Sequence, residues 1–452
     1  MKARTRSLHL TVIAVFSFVV LFITPLPALS GELREKARGY DAHYVKHHSR
    51  GLGGAVEVIF KDRGLAEPYY YDGQGDSTIH TGMYLAGQAF RYAVTGEAEA
   101  RENARDAARA LHHHLRVTGK PGYIARYAGP HELPFYDPTD KPCSEEERCH
   151  LAEGGTYQGH YWLGDTSRDQ YDGFFFGAAI AYELVDDPKL RSLIRSDVKE
   201  LMDYLERNNF IIRGINDKKT GAGDVWYLPG FRVAWTLCAA RIIGEPDYRE
   251  LYEKQARLFL PWTGLEYMDT PAHNFYEYYA LMFYHRSGYN IHRLAWSSAR
   301  QEAHFSAFSL FVRPYTRGIG NVFFDYVYES MRKEPSAKVL EEAGQALLQF
   351  PSPPNRQLVP DQPAKYIGPY SALKREFCSL RFRGKKLCSP KLRSLRPVPV
   401  RYRCPTDFLW QRSPYKVCAG HSRGNPRKVY PGIDYLLAYW MGRYHGFLGP
   451  ED

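Results

Sequence analysis

Two stretches of this chain set carboxylates, hydroxyls and glycines in the same order. The first is Tyr71-Asp72-Gly73-Gln74-Gly75-Asp76-Ser77-Thr78-Ile79-His80-Thr81-Gly82, and the second is Gly164-Asp165-Thr166-Ser167-Arg168-Asp169-Gln170-Tyr171-Asp172-Gly173. Each has Gly-Asp, then two hydroxyl residues, then further polar residues and a glycine. Asp165, Asp169 and Asp172 have the spacing that puts side chains on one face of a helix. Carboxylates held close together are costly unless paired, metal-bound or used. A pair with separated pKa values provides an acid and a base at neutral pH, and two flanking a sugar bond can cleave it. The catalytic candidates are therefore Asp169, Asp172, Asp76, His80 and Asp165, with His80 one turn beyond Asp76. Arg168, Tyr171, Trp162, Trp226, His273 and Asn274 are candidate substrate contacts, Arg168 by gripping an anionic group or orienting a carboxylate. Asp, Ser and Thr are also the preferred N-caps of helices, so Asp76, Ser77, Asp165 and Ser167 have a purely structural role open to them.

Other site chemistries find less support. Three aspartates with nearby carbonyls could hold Ca²⁺, but the EF-hand spacing is missing. His112-His113-His114 points in three directions along one helix. No metal or cofactor is expected. There is no phosphate-binding glycine loop, no GxGxxG, no GxSxG elbow and no HExxH, which disfavours nucleotide cofactors, serine hydrolysis and zinc proteolysis.

The elements that must position these residues read as helical hairpins. Ile79 to Val94 is apolar nearly all round, as a buried helix is, and Thr95-Gly96 is a turn. Glu97 to Leu115 then carries Ala104, Ala107, Ala108, Leu111 and Leu115 on one face, as a surface helix does. The order recurs in Tyr171 to Leu184 followed by Lys189 to Arg207, in Trp226 to Ile243 followed by Pro246 to Leu260, and in a fourth pair beginning near Pro271. It recurs again in Val322 to Met331 followed by Ala337 to Leu348. Ile433 to Tyr444 is a last inner-type helix, and residues 34 to 60 supply the outer helix that closes the set. Strand patterns hardly appear. Inner helices running in one direction gather their N-termini at one mouth, and Asp224 and Asp434 join the candidates there.

This hairpin order resembles the (α/α)6 toroid of the six-hairpin glycosidase-like superfamily, which includes unsaturated glucuronyl hydrolases, sugar epimerases and several polysaccharide lyases. The resemblance implies an all-α fold over most of residues 34 to 445 and a carbohydrate substrate. It rests on hairpin order and brings no catalytic signature with it.

Composition sets the outer bounds. The chain has 452 residues, 44% hydrophobic and 24% charged, which is a globular balance. Lys2, Arg4 and Arg6, the apolar run Leu10 to Ile23 and the small-x-small site Ala28-Leu29-Ser30 read as an export signal over 1–30, with the mature chain from Gly31. Residues 31–360 are expected to form the toroid and 431–452 its closing helix. Between them, residues 361–430 hold 17 Lys/Arg against three acids, with Cys378, Cys388, Cys404 and Cys418. That segment is expected to be irregular, surface-lying and disulfide-linked. Cys143 and Cys149 could close a small ring, and Cys238 reads as a buried thiol.

An exported protein with a basic segment and 15% aromatic residues points to an acidic oligo- or polysaccharide, or an anionic envelope surface, as partner, and away from nucleic acid. The expected function is an exported glycoside hydrolase or polysaccharide lyase. A non-catalytic glycan- or envelope-binding protein and a sugar epimerase or isomerase are the alternatives.

Overall fold

The computed structural model describes residues 31–49, 53–130, 148–267, 278–367, 380–382, 385–387, 396–418 and 424–452. Its body is two concentric rings of helices. The inner ring is α2 (Ser77–Thr95), α4 (Arg168–Leu184), α6 (Pro229–Ile243), α8 (Tyr279–Leu294), α10 (Val322–Ser330) and α12 (Ile433–Tyr444). Each packs on the next, and α12 returns to α2 to close the circle. Outside them lie α3 (Ala98–Arg116), α5 (Pro188–Arg207), α7 (Pro246–Tyr267), α9 (Ser298–Phe311), α11 (Ala337–Leu348) and α1 (Glu32–His43). This is the expected (α/α)6 toroid, and α1 serves as the outer partner of α12. Helix α1 runs on as a π-helical turn, Tyr44–His48, and the chain then becomes a strand, so the outer helix stops short of residue 60.

The pattern of burial follows the sequence pattern. Helix α2 is buried continuously from Ser77 to Arg91, whereas α5 buries one stripe, with Leu190, Ile194, Val198, Leu201 and Leu205 inward. Asp187 starts α5 by accepting bonds from the Lys189 and Leu190 amides, with Pro188 in the first turn. Helices α2 and α4 touch backbone to backbone. A Cβ on Gly82 would lie 2.0 Å from the Gly173 carbonyl oxygen, and one on Gly177 would lie 2.1 Å from that of Gly82. The glycines in the two site motifs thus allow the motifs to lie side by side.

All six inner helices begin at the same end. The Tyr279 hydroxyl at the start of α8 donates to Asp76 at the start of α2 (2.9 Å). Asn321, which caps α10, donates to the Trp410 carbonyl (2.8 Å), and the Leu409 amide donates to Asp434 in α12 (2.9 Å). Arg168 at the start of α4 reaches Asp224 and Tyr227, just before α6.

The strands lie in connections outside the rings. Antiparallel pairing joins β2 (Pro68–Asp72), β1 (Glu57–Phe60), β11 (Lys428–Tyr430) and β8 (Asn355–Arg356) in that order. Strands β3 (Tyr127–Pro130), β5 (His160–Leu163) and β4 (Cys149–Leu151) form a second sheet, while β6 (Ile211–Arg213) with β7 (Lys219–Asp224) and β9 (Leu380–Phe382) with β10 (Lys385–Leu387) are hairpins. Such two- to six-residue strands lack the run length that makes alternation visible in sequence.

The basic segment differs from expectation in one respect. Outside β9, β10 and β11 its described part is largely irregular, but residues 398–418 are not a surface loop: Phe408 and Trp410 are fully buried beneath the mouth. The apolar triplet Phe408-Leu409-Trp410 drives this insertion through the hydrophobic effect despite the surrounding charge. A disulfide joins Cys404 to Cys418. Cys149 is also disulfide-bonded, Cys238 is a buried free thiol, and Cys143, Cys378 and Cys388 lie outside the described residues. Among the described residues no helix is long and apolar enough to cross a membrane.

Candidate active site

The mouth formed by the helix starts holds Asp76, His80 and Asp169 from the two sequence motifs. Asp76 is half-buried at the N-cap of α2. Its Oδ2 accepts from Tyr279, and its Oδ1 lies 4.0 Å from Arg126. Asp169 is half-buried in the first turn of α4, where Arg168 Nε lies 3.9 Å from its Oδ1. It accepts no hydrogen bond from any described residue. Burial pushes its carboxyl up to about 6, and the charge of Asp76 adds to that shift, while Arg168, Arg286 and Arg126 oppose it. His80 is 3% exposed and stacks on Phe408, with ring centroids 5.7 Å apart. Burial lowers its pKa, with Asp407 and Asp76 opposing.

Asp407 belongs to this mouth too, although it comes from the basic segment. Its Oδ1 accepts from Thr406 Oγ1 (2.6 Å), the Phe408 amide (2.9 Å) and Arg412 (2.9 Å). Burial pushes its carboxyl up, but His80, Arg412 and these bonds outweigh it and hold the group well below the usual carboxylate range. Sequence reading passed over Asp407 because it is one of three acids among 17 basic residues. The available signal was an acid directly before an apolar triplet.

Other candidates lie elsewhere. Asp172 faces into the closed ring, not the mouth. Its carboxylate takes Arg286 Nε at 2.6 Å, with Trp235 Nε1 and Ser287 Oγ at 3.4 and 3.3 Å, and both ion-pair partners are sealed from solvent. Its shared face with Asp169 is real, but three residues of helix rise carry it about 4.5 Å deeper. Tyr171 is also fully buried, donating its hydroxyl to the Gly122 carbonyl (2.8 Å). Asp165 has a positive φ of 46°. Its carboxylate turns to the Gly221 amide (2.9 Å) and Arg148 (3.2 Å), in a neighbouring cleft of about 730 Å³ lined by Tyr123, His150 and the β6–β7 hairpin. Trp162 is buried, stacked on His150 at 4.2 Å.

Trp226 is about half exposed beside Tyr227, whose hydroxyl contacts Arg168 (3.2 Å). These three form an aromatic and cationic rim. Asp224 pairs with Lys219 (2.6 Å). Asp434 is buried, its carboxylate bonded to the Leu409 and Tyr435 amides, and burial raises it to about 7. His273 and Asn274 lie outside the described residues. The three consecutive histidines diverge as expected: His112 meets Asp197, His113 meets His160 and His114 meets Thr78.

The fold therefore defines a class, the (α/α)6 toroids. No protein-family model matches the chain, and no curated protein sequence does. Among solved structures it is similar to the cellulase Cel9M of C. cellulolyticum, with 12% identity over 93% of this chain and 99% of that one and a TM-score of 0.42. It is similar to the endoglucanase CelQ from Clostridium thermocellum, solved with cellotriose, with 11% identity, 92% and 70% coverage and a TM-score of 0.45. A Bacteroides ovatus GH9 structure matches with 9% identity, 94% and 84% coverage and a TM-score of 0.39.

Proposed function

We propose that this chain is an exported glycoside hydrolase acting on an acidic glycan, with Asp169 as proton donor and Asp76 as the facing carboxylate. The observation that carries this reading is the state of Asp169. A carboxyl raised to about 6 in the mouth, with no hydrogen bond from any described residue to fix its charge, can hold a proton near neutral pH and release it to a leaving oxygen. Asp76, oriented by Tyr279, then acts on the anomeric centre directly or through water. The exposed Trp226 ring supplies a stacking face for a sugar, and Arg168 and Arg126 supply positive charge for an anionic one. The leader pattern over 1–30 supports export.

A second reading has its own support. Tyr279, His80 and Arg412 around Asp76 also compose the kind of cluster that removes a proton next to a carboxylate, so elimination from a uronate is the alternative to hydrolysis.

The test is incubation of the purified mature protein with a panel of acidic oligosaccharides, with product mass as readout. Products that gain one water per cleavage support hydrolysis, and unsaturated products that gain none identify a lyase. Saturable binding with no product from any substrate overturns both and leaves a glycan-binding protein.

A further inference from the structure

The mouth carries a second cluster. Asp76, His80 and Asp407 each present one ligand atom, and these atoms all lie within 4.8 Å of one another. Two further observations separate this cluster from a patch of surface acids. His80 is 3% exposed, and its Nε2 is buried without a hydrogen-bond partner among the described residues. A buried ring nitrogen left in that state is costly unless something else occupies it. The carboxylates, in turn, are oriented from behind. Tyr279 holds Asp76, and Thr406, the Phe408 amide and Arg412 all hold the same oxygen of Asp407. Outer bonds of this kind are what fix the ligands of a metal.

We propose that Asp76, His80 and Asp407 form a binding site for a divalent transition-metal ion of the zinc type. One imidazole nitrogen with carboxylate oxygens suits zinc, cobalt or manganese, whereas calcium and magnesium favour all-oxygen sets. Asp76 and His80 lie one turn apart on α2, and Asp407 comes from the inserted segment. The ion therefore clamps that segment onto the inner ring. Three protein ligands leave coordination positions open toward the mouth, as in sites that bind water or substrate. Arg412 and Arg126 stand behind the carboxylates, so their charge sets the affinity below that of a four-ligand structural site. The proposal goes beyond the hydrolase reading and does not depend on it; a bound ion occupies Asp76, so the hydrolase reading applies to the metal-free protein.

The full mature protein, stripped with a chelator, is titrated with Zn²⁺ by calorimetry and thermal melting. A parallel titration with Co²⁺ reads its visible absorption. The expected result is one saturable site, a rise in Tm, and cobalt bands showing an imidazole ligand. His80→Gln and Asp407→Asn, each confirmed folded by circular dichroism, should weaken binding by more than about tenfold, while Asp169→Asn leaves it intact. Absence of saturable binding to the wild-type chain overturns the site. So does wild-type affinity in both ligand variants, since the ion must then sit elsewhere. Binding is read without turnover, so this result stands apart from the fate of the hydrolase reading.

Discussion

Arg286 Nε lies 2.6 Å from Asp172 Oδ2 at the centre of the inner ring, with both side chains out of reach of solvent. The pair ties α4 to α8, and Trp235 from α6 adds a third helix to the same carboxylate. Removing one partner strands the other as a buried charge, which costs about 3–5 kcal/mol, whereas replacing both with apolar residues of similar volume is often neutral. Arg286→Met alone should therefore lower stability by that amount in urea unfolding, and Arg286→Met with Asp172→Leu should recover most of it. If Asp172→Asn instead left stability unchanged and abolished turnover, Asp172 would belong to the catalytic machinery after all.

The α2–α4 contact gives a second expectation. A methyl group on Gly82 meets the Gly173 carbonyl and backbone of α4, neither of which can rotate away. Gly82→Ala should cost at least the roughly 1–3 kcal/mol typical of overpacking. It should also lower activity, because Asp76 and Asp169 sit on the two helices it pushes apart. A wild-type Tm for this variant would mean that the two backbones are not in contact.

The hairpin order, the direction of the inner helices and the meeting of Asp76, His80 and Asp169 were legible in the sequence. Each depends on local periodicity or on a repeated motif whose partner is equally visible. Asp172 was misplaced because helical spacing reports a shared face and says nothing of depth. Its partner, Arg286, lies 114 residues away in a helix that carries neither of the two site motifs. Asp407 was hidden for the opposite reason. Charge averaged over residues 361–430 describes a solvated loop, while Phe408 to Gln411, directly after Asp407, pack like core.

The Cys404–Cys418 disulfide brackets Asp407 and closes a loop of sequence separation 14, a length for which the chain-entropy model gives about 3 kcal/mol. Replacing both cysteines with serine should destabilise the folded chain by about that amount and loosen the Asp407 wall of the mouth. Peptide mapping without reductant should recover 404 and 418 in one linked fragment. Recovery of both as free thiols from the oxidised, folded protein would remove the bracket.

The last expectation concerns Asp169, because catalysis and stability pull in opposite directions there. Its folded pKa of about 6 lies above the unfolded value of 3.8. Folding therefore favours the protonated form, and the ionised form is penalised. The penalty is absent below the unfolded value, grows as pH rises through the folded value and is complete above it. That displacement corresponds to at most about 3 kcal/mol, reduced by the partial solvent access of the side chain. Asp169→Asn removes the ionisable group, so it should raise Tm at pH 8 and change it little at pH 3.5. The same substitution removes the proton donor, and turnover should fall by roughly 10² or more.

In the wild-type protein treated with a chelator, turnover on the acidic glycan should decline as pH rises through about 6. Asp76→Asn removes the facing negative charge that helps raise Asp169, so any residual activity should show that decline at lower pH. If Asp169→Asn lowers Tm at pH 8 and leaves turnover intact, the residue is a helix-start anchor, and the acid of this site must be sought elsewhere in the mouth.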